Sequence, residues 1–323
     1  MKLTKAHVNI LLIILVCSLY LYFTFLSKSY LESRMGKESG FFTMFFFTLN
    51  HALYAKSNYL NYRINTERWM FRFKDGWTDY FEPYEINDKT QIFHITKQYP
   101  NILTEYSIAD YKNIIPSIYR YNQKTKDYIK DVKSKLNLID GSYDSIFIRR
   151  GDKIISGESE YNSAEKYIDS LVSNNPAAKV IYVQTDDYGV IEEMRTHVNK
   201  KQMTMEIKTL CQEWQRGTVV FSNYKDIDFY VGKDSEYVKK NKDALLANKS
   251  VEEMSPSEVY DHTIIMLAGI DLVCKSNICI LDYESNVGRF IKLFHTNPTN
   301  VINILDPVND IDYKKMVCPA FSF

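Results

Sequence analysis

Two adjacent arginines, an aspartate and a lysine follow a short apolar segment near the middle of the chain. The apolar segment covers residues 146–148, and the polar residues are Arg149, Arg150, Asp152 and Lys153. A short apolar run that ends near a glycine predicts a buried strand opening into a loop. Neighbouring guanidinium groups suit a phosphate or diphosphate, because each can donate paired hydrogen bonds. The pattern predicts an anion site, and arginines paired with surface carboxylates are the alternative.

Polar residues also follow other predicted strands. Asp186 and Asp187 end one of them, and Ser285 and Asn286 stand between another and a predicted helix. The carboxyl ends of parallel strands meet at one crevice. The helix start can hold a phosphate, and the aspartates can accept hydrogen bonds from hydroxyl groups. Together these groups predict a nucleotide-diphosphate-sugar site in which guanidinium groups, and no metal, neutralise the charge.

The elements that must position these residues are an alternation of strands and helices. Strands are predicted at 145–149, 180–183, 219–221, 278–281 and 301–305, and helices near 163–174, 188–199, 256–270 and 286–294. This order predicts a parallel α/β sheet in a C-terminal, Rossmann-like lobe over 141–323. An N-terminal α/β lobe is expected over 40–140, with a helix from 40, a strand at 59–64 and two helices divided at Pro116.

Three blocks of the chain, 146–153, 182–187 and 277–289, resemble the α1,6-fucosyltransferase family and its relatives, the nodulation and protein O-fucosyltransferases. The resemblance implies a GT-B-like fold with two α/β lobes. It further implies an inverting, metal-independent transfer of fucose from GDP-fucose to a hydroxyl of a glycan or glycoprotein, with GDP-fucose as co-substrate and no cofactor.

The resemblance also assigns roles within the first block. Arg150 corresponds to the arginine on the donor diphosphate, with Arg149 supporting it, and Asp152 and Lys153 follow. Glu158 corresponds to the catalytic carboxylate if one residue is inserted. The implied reaction is a single displacement in which Glu158, or otherwise Asp152, acts as general base.

The remaining donor contacts follow from the same resemblance. They are Tyr167, the paired Asp186 and Asp187, and Ser285, beside which Asn286 starts the helix. An acidic residue of the preceding helix is expected as well, either Asp271 or Asp261. One position departs from the family, since Phe147 stands where a histidine is often found. A hydrogen bond to the donor is therefore expected to be missing.

The N-terminus is uncharged and strongly apolar from 8 to 26. This length predicts a transmembrane signal anchor with a cytoplasmic tail of residues 1–7 and a stem of residues 27–39. A cleaved signal peptide is the alternative. The protein is therefore expected to be a single-pass type II membrane protein, located in an ER- or Golgi-type secretory membrane or an equivalent one.

The charge balance opposes a nucleic-acid partner, because 40 basic and 40 acidic residues give a net charge of zero. Two Asp-x-Asp triplets, at 226–228 and 310–312, are the basis of a metal-dependent alternative, but their polar surroundings indicate surface loops. A membrane-tethered protein that binds a nucleotide sugar or glycan without turnover is a further alternative, as is a glycosyltransferase that uses another nucleotide sugar.

Overall fold

A computed structural model describes residues 12–21, 31–37, 39–86, 106–155, 159, 161–222, 243–244, 247–283 and 285–305. Two sheets organise the described part of the chain. Glu158 and both Asp-x-Asp triplets lie outside these residues.

A five-stranded parallel sheet forms the C-terminal part, as the alternation of elements predicted. Its strands are β4 (Asp144–Ile148), β5 (Val180–Thr185), β6 (Glu206–Thr209), β7 (Cys279–Leu281) and β8 (Val301–Asn303). They lie in the order β6-β5-β4-β7-β8, and each neighbouring pair is parallel. Strand β4 is therefore central, and the residues after it open at the middle of the carboxyl edge.

Helices cover both faces of this sheet, as expected for parallel strands. The helices that follow strand β4 in the chain are α4 (Asp152–Ile155), α5 (Ala164–Asn174), α6 (Tyr188–Lys200), α7 (Pro256–Cys274) and α8 (Asn286–Phe294). Helices α5 and α6 pack on one face of β4 and β5 and form one hydrophobic core there. Helix α7 packs on the other face and belongs to a second core. Successive residues of β4 alternate between the two cores: Phe147 belongs to the α7 side, Ile146 and Ile148 to the other.

A smaller sheet and an aromatic core form the N-terminal part. Strands β1 (Leu31–Arg34) and β2 (Tyr62–Asn65) are parallel, and β3 (Glu85–Ile86) is antiparallel to β2. Helix α1 (Phe41–Ser57) packs on this sheet, and helices α2 (Ile108–Ile118) and α3 (Gln123–Lys135) follow. Residues 31–34 were predicted to lie in the stem. In the structure the backbone of this stretch pairs with β2.

Two further predictions differ from the structure. Residues 219–221 were predicted to form a strand and do not. The third strand of the five-stranded sheet, in chain order, is instead β6, at 206–209. The backbone at Val219 and Val220 instead accepts hydrogen bonds from Val251 and Glu252. Pro116 lies inside α2 rather than between two helices. Only Ser117 and Ile118 follow it in the helix, so the proline stands close to the helix end.

The N-terminal apolar segment is described only over residues 12–21, which are helical and have exposed side chains. Among the described residues, no helix is both long enough and apolar enough to cross a membrane.

Candidate nucleotide-sugar site

A cavity of about 410 Å³ lies at the carboxyl edge of the five-stranded sheet. The ends of β4 and β5, the segment after β6 and the start of α8 contribute to its wall, as do α7 and the start of α1. Of the predicted site residues, those that line it are Arg149, Asp152, Lys153, Asp186, Ser285 and Asn286. The convergence of strand ends that the sequence predicted is therefore found.

The two adjacent arginines point to opposite faces of the sheet. Arg149 lines the cavity, as Phe147 does two residues earlier. Arg150 follows the alternation to the other face, where only 2% of it is exposed. Its Nη1 and Nη2 donate to the carboxylate of Glu193 at 2.9 and 2.7 Å, and its guanidinium lies 4.7 Å from the ring centre of Tyr161.

Arg150 was predicted to hold the donor diphosphate, and in the structure it is buried and does not line the cavity. Burial alone would lower the pKa of Arg150, but the ion pair with Glu193 raises it above its usual value. The guanidinium is thus a charged, internally paired group. Arg149 lines the cavity while Arg150 is paired with Glu193 away from it, so the two guanidinium groups do not share one wall.

Arg149 is held by two carboxylates. Its Nη2 donates to Asp152 Oδ1 at 2.6 Å, and its Nη1 forms an ion pair with Asp186. Asp186 also accepts 2.8 Å hydrogen bonds from the backbone amides of Arg150 and Thr218. Burial raises the pKa of Asp152, although Arg149 and Lys153 oppose this shift. The guanidinium is therefore fixed in position before any ligand binds.

Gly151 allows the chain to turn between Arg150 and Asp152. Its φ is +63°, and a Cβ there would lie 2.4 Å from the carbonyl oxygen of Thr218. The amide of Asp152 donates to that same oxygen at 3.0 Å. Both the dihedral angle and the close backbone approach therefore require glycine.

Besides Arg150, three of the predicted donor residues lie outside the cavity wall. Asp187 is 1% exposed and caps α6 by accepting from the amide of Gly189 at 2.9 Å. The hydroxyl of Tyr167 donates to Asp282 at 3.1 Å. Asp271 is buried and pairs with Lys275 at 2.8 Å, and its burial raises its pKa. The structure thus gives each of them a partner within the protein, and their roles as donor contacts stay predictions.

Ser285 and Asn286 both line the cavity at the start of α8. Ser285 caps the helix, since its Oγ accepts from the amide of Gly288 at 3.0 Å. The Asn286 amide donates to Thr43 Oγ1 at 2.8 Å and accepts from Arg289 at 3.0 Å. These contacts join α8 to α1, so residues far apart in the chain share one wall.

Several cavity residues were not predicted as site residues. They include Arg289, Gln184, His262 and the aromatic residues Phe41, Phe42 and Phe71. Arg289 could have been found, because it stands one helical turn after Ser285 and so faces the same side. The aromatic residues come from the N-terminal part, and no local pattern indicates which residues of that part reach the sheet edge.

No group of three or more histidine, cysteine, aspartate or glutamate side chains in the described ranges could hold a metal ion. The expected independence of a metal stays a prediction, because both Asp-x-Asp triplets lie outside those ranges.

Solved structures with a similar fold are known. The crystal structure of NodZ α-1,6-fucosyltransferase soaked with GDP-fucose matches 87% of this chain and 97% of its own, with a TM-score of 0.52. The chain shares the fold of NodZ. Fucosyltransferase NodZ from Bradyrhizobium matches equally well, at 10% identity, and NodZ co-crystallised with GDP matches at 11% identity and a TM-score of 0.50.

The resemblance drawn from the sequence is therefore confirmed at the level of the fold. No protein-family model matches the chain. No curated protein is significantly similar to it in sequence either.

Proposed function

We propose that this chain is a glycosyltransferase that binds GDP-fucose in the cavity at the sheet edge and transfers fucose to a hydroxyl of a glycan or glycoprotein. The observation that supports it most strongly is the placement of Arg149 at the carboxyl end of the central strand, in a chain with the fold of NodZ. A fold alone does not specify a reaction, so the argument depends on the cavity and its charges.

The charges of the cavity suit a nucleoside diphosphate. Arg149, Lys153 and Arg289 supply three cations, and Asp152 and Asp186 supply two carboxylates. A diphosphate leaving group gains negative charge as the bond to the sugar breaks, and cations already in place stabilise that charge. In this proposal Arg149 takes the role that the sequence assigned to Arg150.

The reaction is a single displacement. The acceptor oxygen forms a bond to C1 of the sugar while the bond from C1 to the diphosphate oxygen breaks, and GDP leaves with the electron pair. The proton of the acceptor hydroxyl passes to a general base, for which we propose Glu158. Asp152 is less suitable as this base, because it is buried and paired with Arg149.

The proposal is tested by calorimetric titration of the full chain with GDP, UDP and ADP in metal-free buffer. We expect selective binding of GDP, and a loss of affinity of about 100-fold in Arg149→Ala, because removing a charge-assisted bidentate contact costs roughly 1.5–3 kcal/mol. Arg63→Ala is the matched control, since Arg63 forms an ion pair with Glu32 outside the cavity. GDP binding that survives in Arg149→Ala would contradict the assignment.

Turnover is measured separately, as release of GDP from GDP-fucose in the presence and absence of glycan acceptors. Release that continues in EDTA is expected. Selective binding of another nucleotide would exclude GDP-fucose as the donor but keep the transferase class.

A further inference from the structure

One side of helix α7 forms an apolar wall of the cavity. His262, Ile265, Met266 and Ile270 all line it. Ile265 and Met266 stand three and four residues after His262, and Ile270 four after Met266, so they lie on one face of the helix. The imidazole is the polar group on this face, near its N-terminal end.

His262 is uncharged and available to a ligand. Burial lowers the pKa of His262 to about 4; the nearby Arg149 acts in the same direction, and Asp186 opposes it. Within the described part of the chain, neither ring nitrogen has a hydrogen-bond partner. A neutral imidazole offers one donor and one acceptor.

Gln184 supplies a second uncharged polar group to the same wall. The hydroxyl of Tyr182 donates to its Oε1 at 2.7 Å, which directs the amide. The amide lies against α7 at Gly269, where a Cβ would come within 1.8 Å of Oε1. Residues 262 and 269 are two helical turns apart, about 10 Å along the axis. His262 and Gln184 therefore flank the apolar face between them.

We propose that this wall binds the nucleobase of the donor, with the flat ring against Ile265 and Met266 and its polar edge hydrogen-bonded to His262 and Gln184. The inference rests on the proposed function, since it concerns the same site. The cations Arg149, Lys153 and Arg289 suit the diphosphate, whereas an apolar face with two neutral polar groups suits a flat, uncharged heterocycle. Ligand pockets obtain specificity from such a small number of placed polar groups.

The test compares three probes on the full chain by calorimetry: GDP, guanosine and inorganic pyrophosphate. In His262→Ala we expect about tenfold weaker binding of both GDP and guanosine, because one hydrogen bond is lost, and unchanged binding of pyrophosphate. His262→Gln keeps a neutral donor and acceptor, and should recover part of the loss. His197→Ala is the matched control, because it removes a histidine from α6, where the side chain pairs with Asp169 outside the cavity.

Each outcome has a distinct meaning. Unchanged guanosine binding in His262→Ala would overturn the nucleobase contact alone, while GDP binding by the wild-type chain would keep the proposed function. Weaker pyrophosphate binding, or full recovery by His262→Lys, would show a phosphate contact and overturn it as well. If the wild-type chain bound neither GDP nor guanosine, both proposals would fail. Gln184→Met is a second variant, expected to weaken the same two ligands, if His262→Ala does not fold.

Discussion

Arg149 and Arg150 are identical in type and adjacent in sequence, yet their surroundings give them different roles. Arg149 faces a cavity between two carboxylates, and Arg150 is enclosed by Glu193, Tyr161 and Asp187. Removing one partner of a buried ion pair leaves an uncompensated charge in the protein interior. Arg150 is thus expected to matter for stability and Arg149 for ligand binding.

Replacing Arg150 with alanine is expected to lower the free energy of unfolding by about 3–5 kcal/mol, because Glu193 is left without its buried partner. Urea denaturation followed by circular dichroism measures this. The double variant Arg150→Met with Glu193→Leu should recover most of the loss, since it removes both charges. A stable Arg150→Ala chain that no longer bound GDP would instead return Arg150 to the role that the sequence assigned to it.

At the scale of the elements, the turn between β4 and α4 decides the site geometry. It brings Asp152 back toward Arg149 and sets the backbone of Gly151 against Thr218. Gly151 and Gly141 both have positive φ values, of +63° and +73°, but a Cβ at Gly141 would meet no atom within 4 Å. A side chain at Gly141 would therefore meet only the strain of the positive φ, whereas one at Gly151 would also clash with the backbone of Thr218.

Gly141→Ala is expected to destabilise the fold by roughly 1 kcal/mol, the cost of a positive φ with a side chain. Gly151→Ala should cost clearly more, because it adds a clash with backbone, and it should also weaken GDP binding. Thermal denaturation of the two variants, together with GDP titration, provides the comparison. Equal effects on stability would show that the close contact with Thr218 relaxes freely.

The sequence predicted the parallel sheet and its carboxyl-edge crevice because both follow from local patterns. Short apolar runs, the cap at Ser255 and the glycine after Arg150 each indicate an element boundary. The assignment of the diphosphate role to Arg150 could not take into account that Arg149 is the arginine lining the cavity, since that depends on which helices cover each face. Nor did the sequence predict that the cavity side of α7 carries His262 rather than Asp261 or Asp271, because the rotation of a helix is set by packing.

At the scale of the whole molecule, the two sheets share one hydrophobic core. Phe42 of α1 lies 4.8 Å from the ring of Phe290 in α8, and Tyr119, after α2, lies 4.6 Å from it. The cavity uses the same junction, since α1 and α8 both line it. Aromatic substitutions in the N-terminal part are therefore able to change the shape of the site from a distance.

The pH dependence of stability is expected to reflect three histidines that are wholly or partly buried. Burial lowers the pKa values of His51, His262 and His295 to about 4, against about 6.5 when unfolded. Between these values the unfolded chain binds more protons, so stability falls as the pH decreases from 6.5 to 4. Each histidine contributes a slope of up to about 1.4 kcal/mol per pH unit. Asp152 and Asp271, whose pKa values are raised, act in the opposite direction.

Urea denaturation of the wild type and of His51→Asn at pH 7 and pH 5 isolates one of these contributions. His51 lies away from the cavity, and its Nδ1 is 2.6 Å from Ser33 Oγ. The variant should be less stable than the wild type at pH 7, and the difference should shrink at pH 5. An identical difference at both pH values would mean that His51 titrates normally.

The paired carboxylates around Arg149 have a consequence for the end of the proposed catalytic cycle. Asp152 and Asp186 both pair with Arg149. They would compete with the diphosphate of the proposed donor for this guanidinium, and would pair with it again when the product leaves. The exchange of one set of anionic oxygens for another lowers the cost of dissociation. If the chain binds GDP-fucose as proposed, this re-pairing would make release of the nucleotide easier, the step that often limits the rate of enzymes.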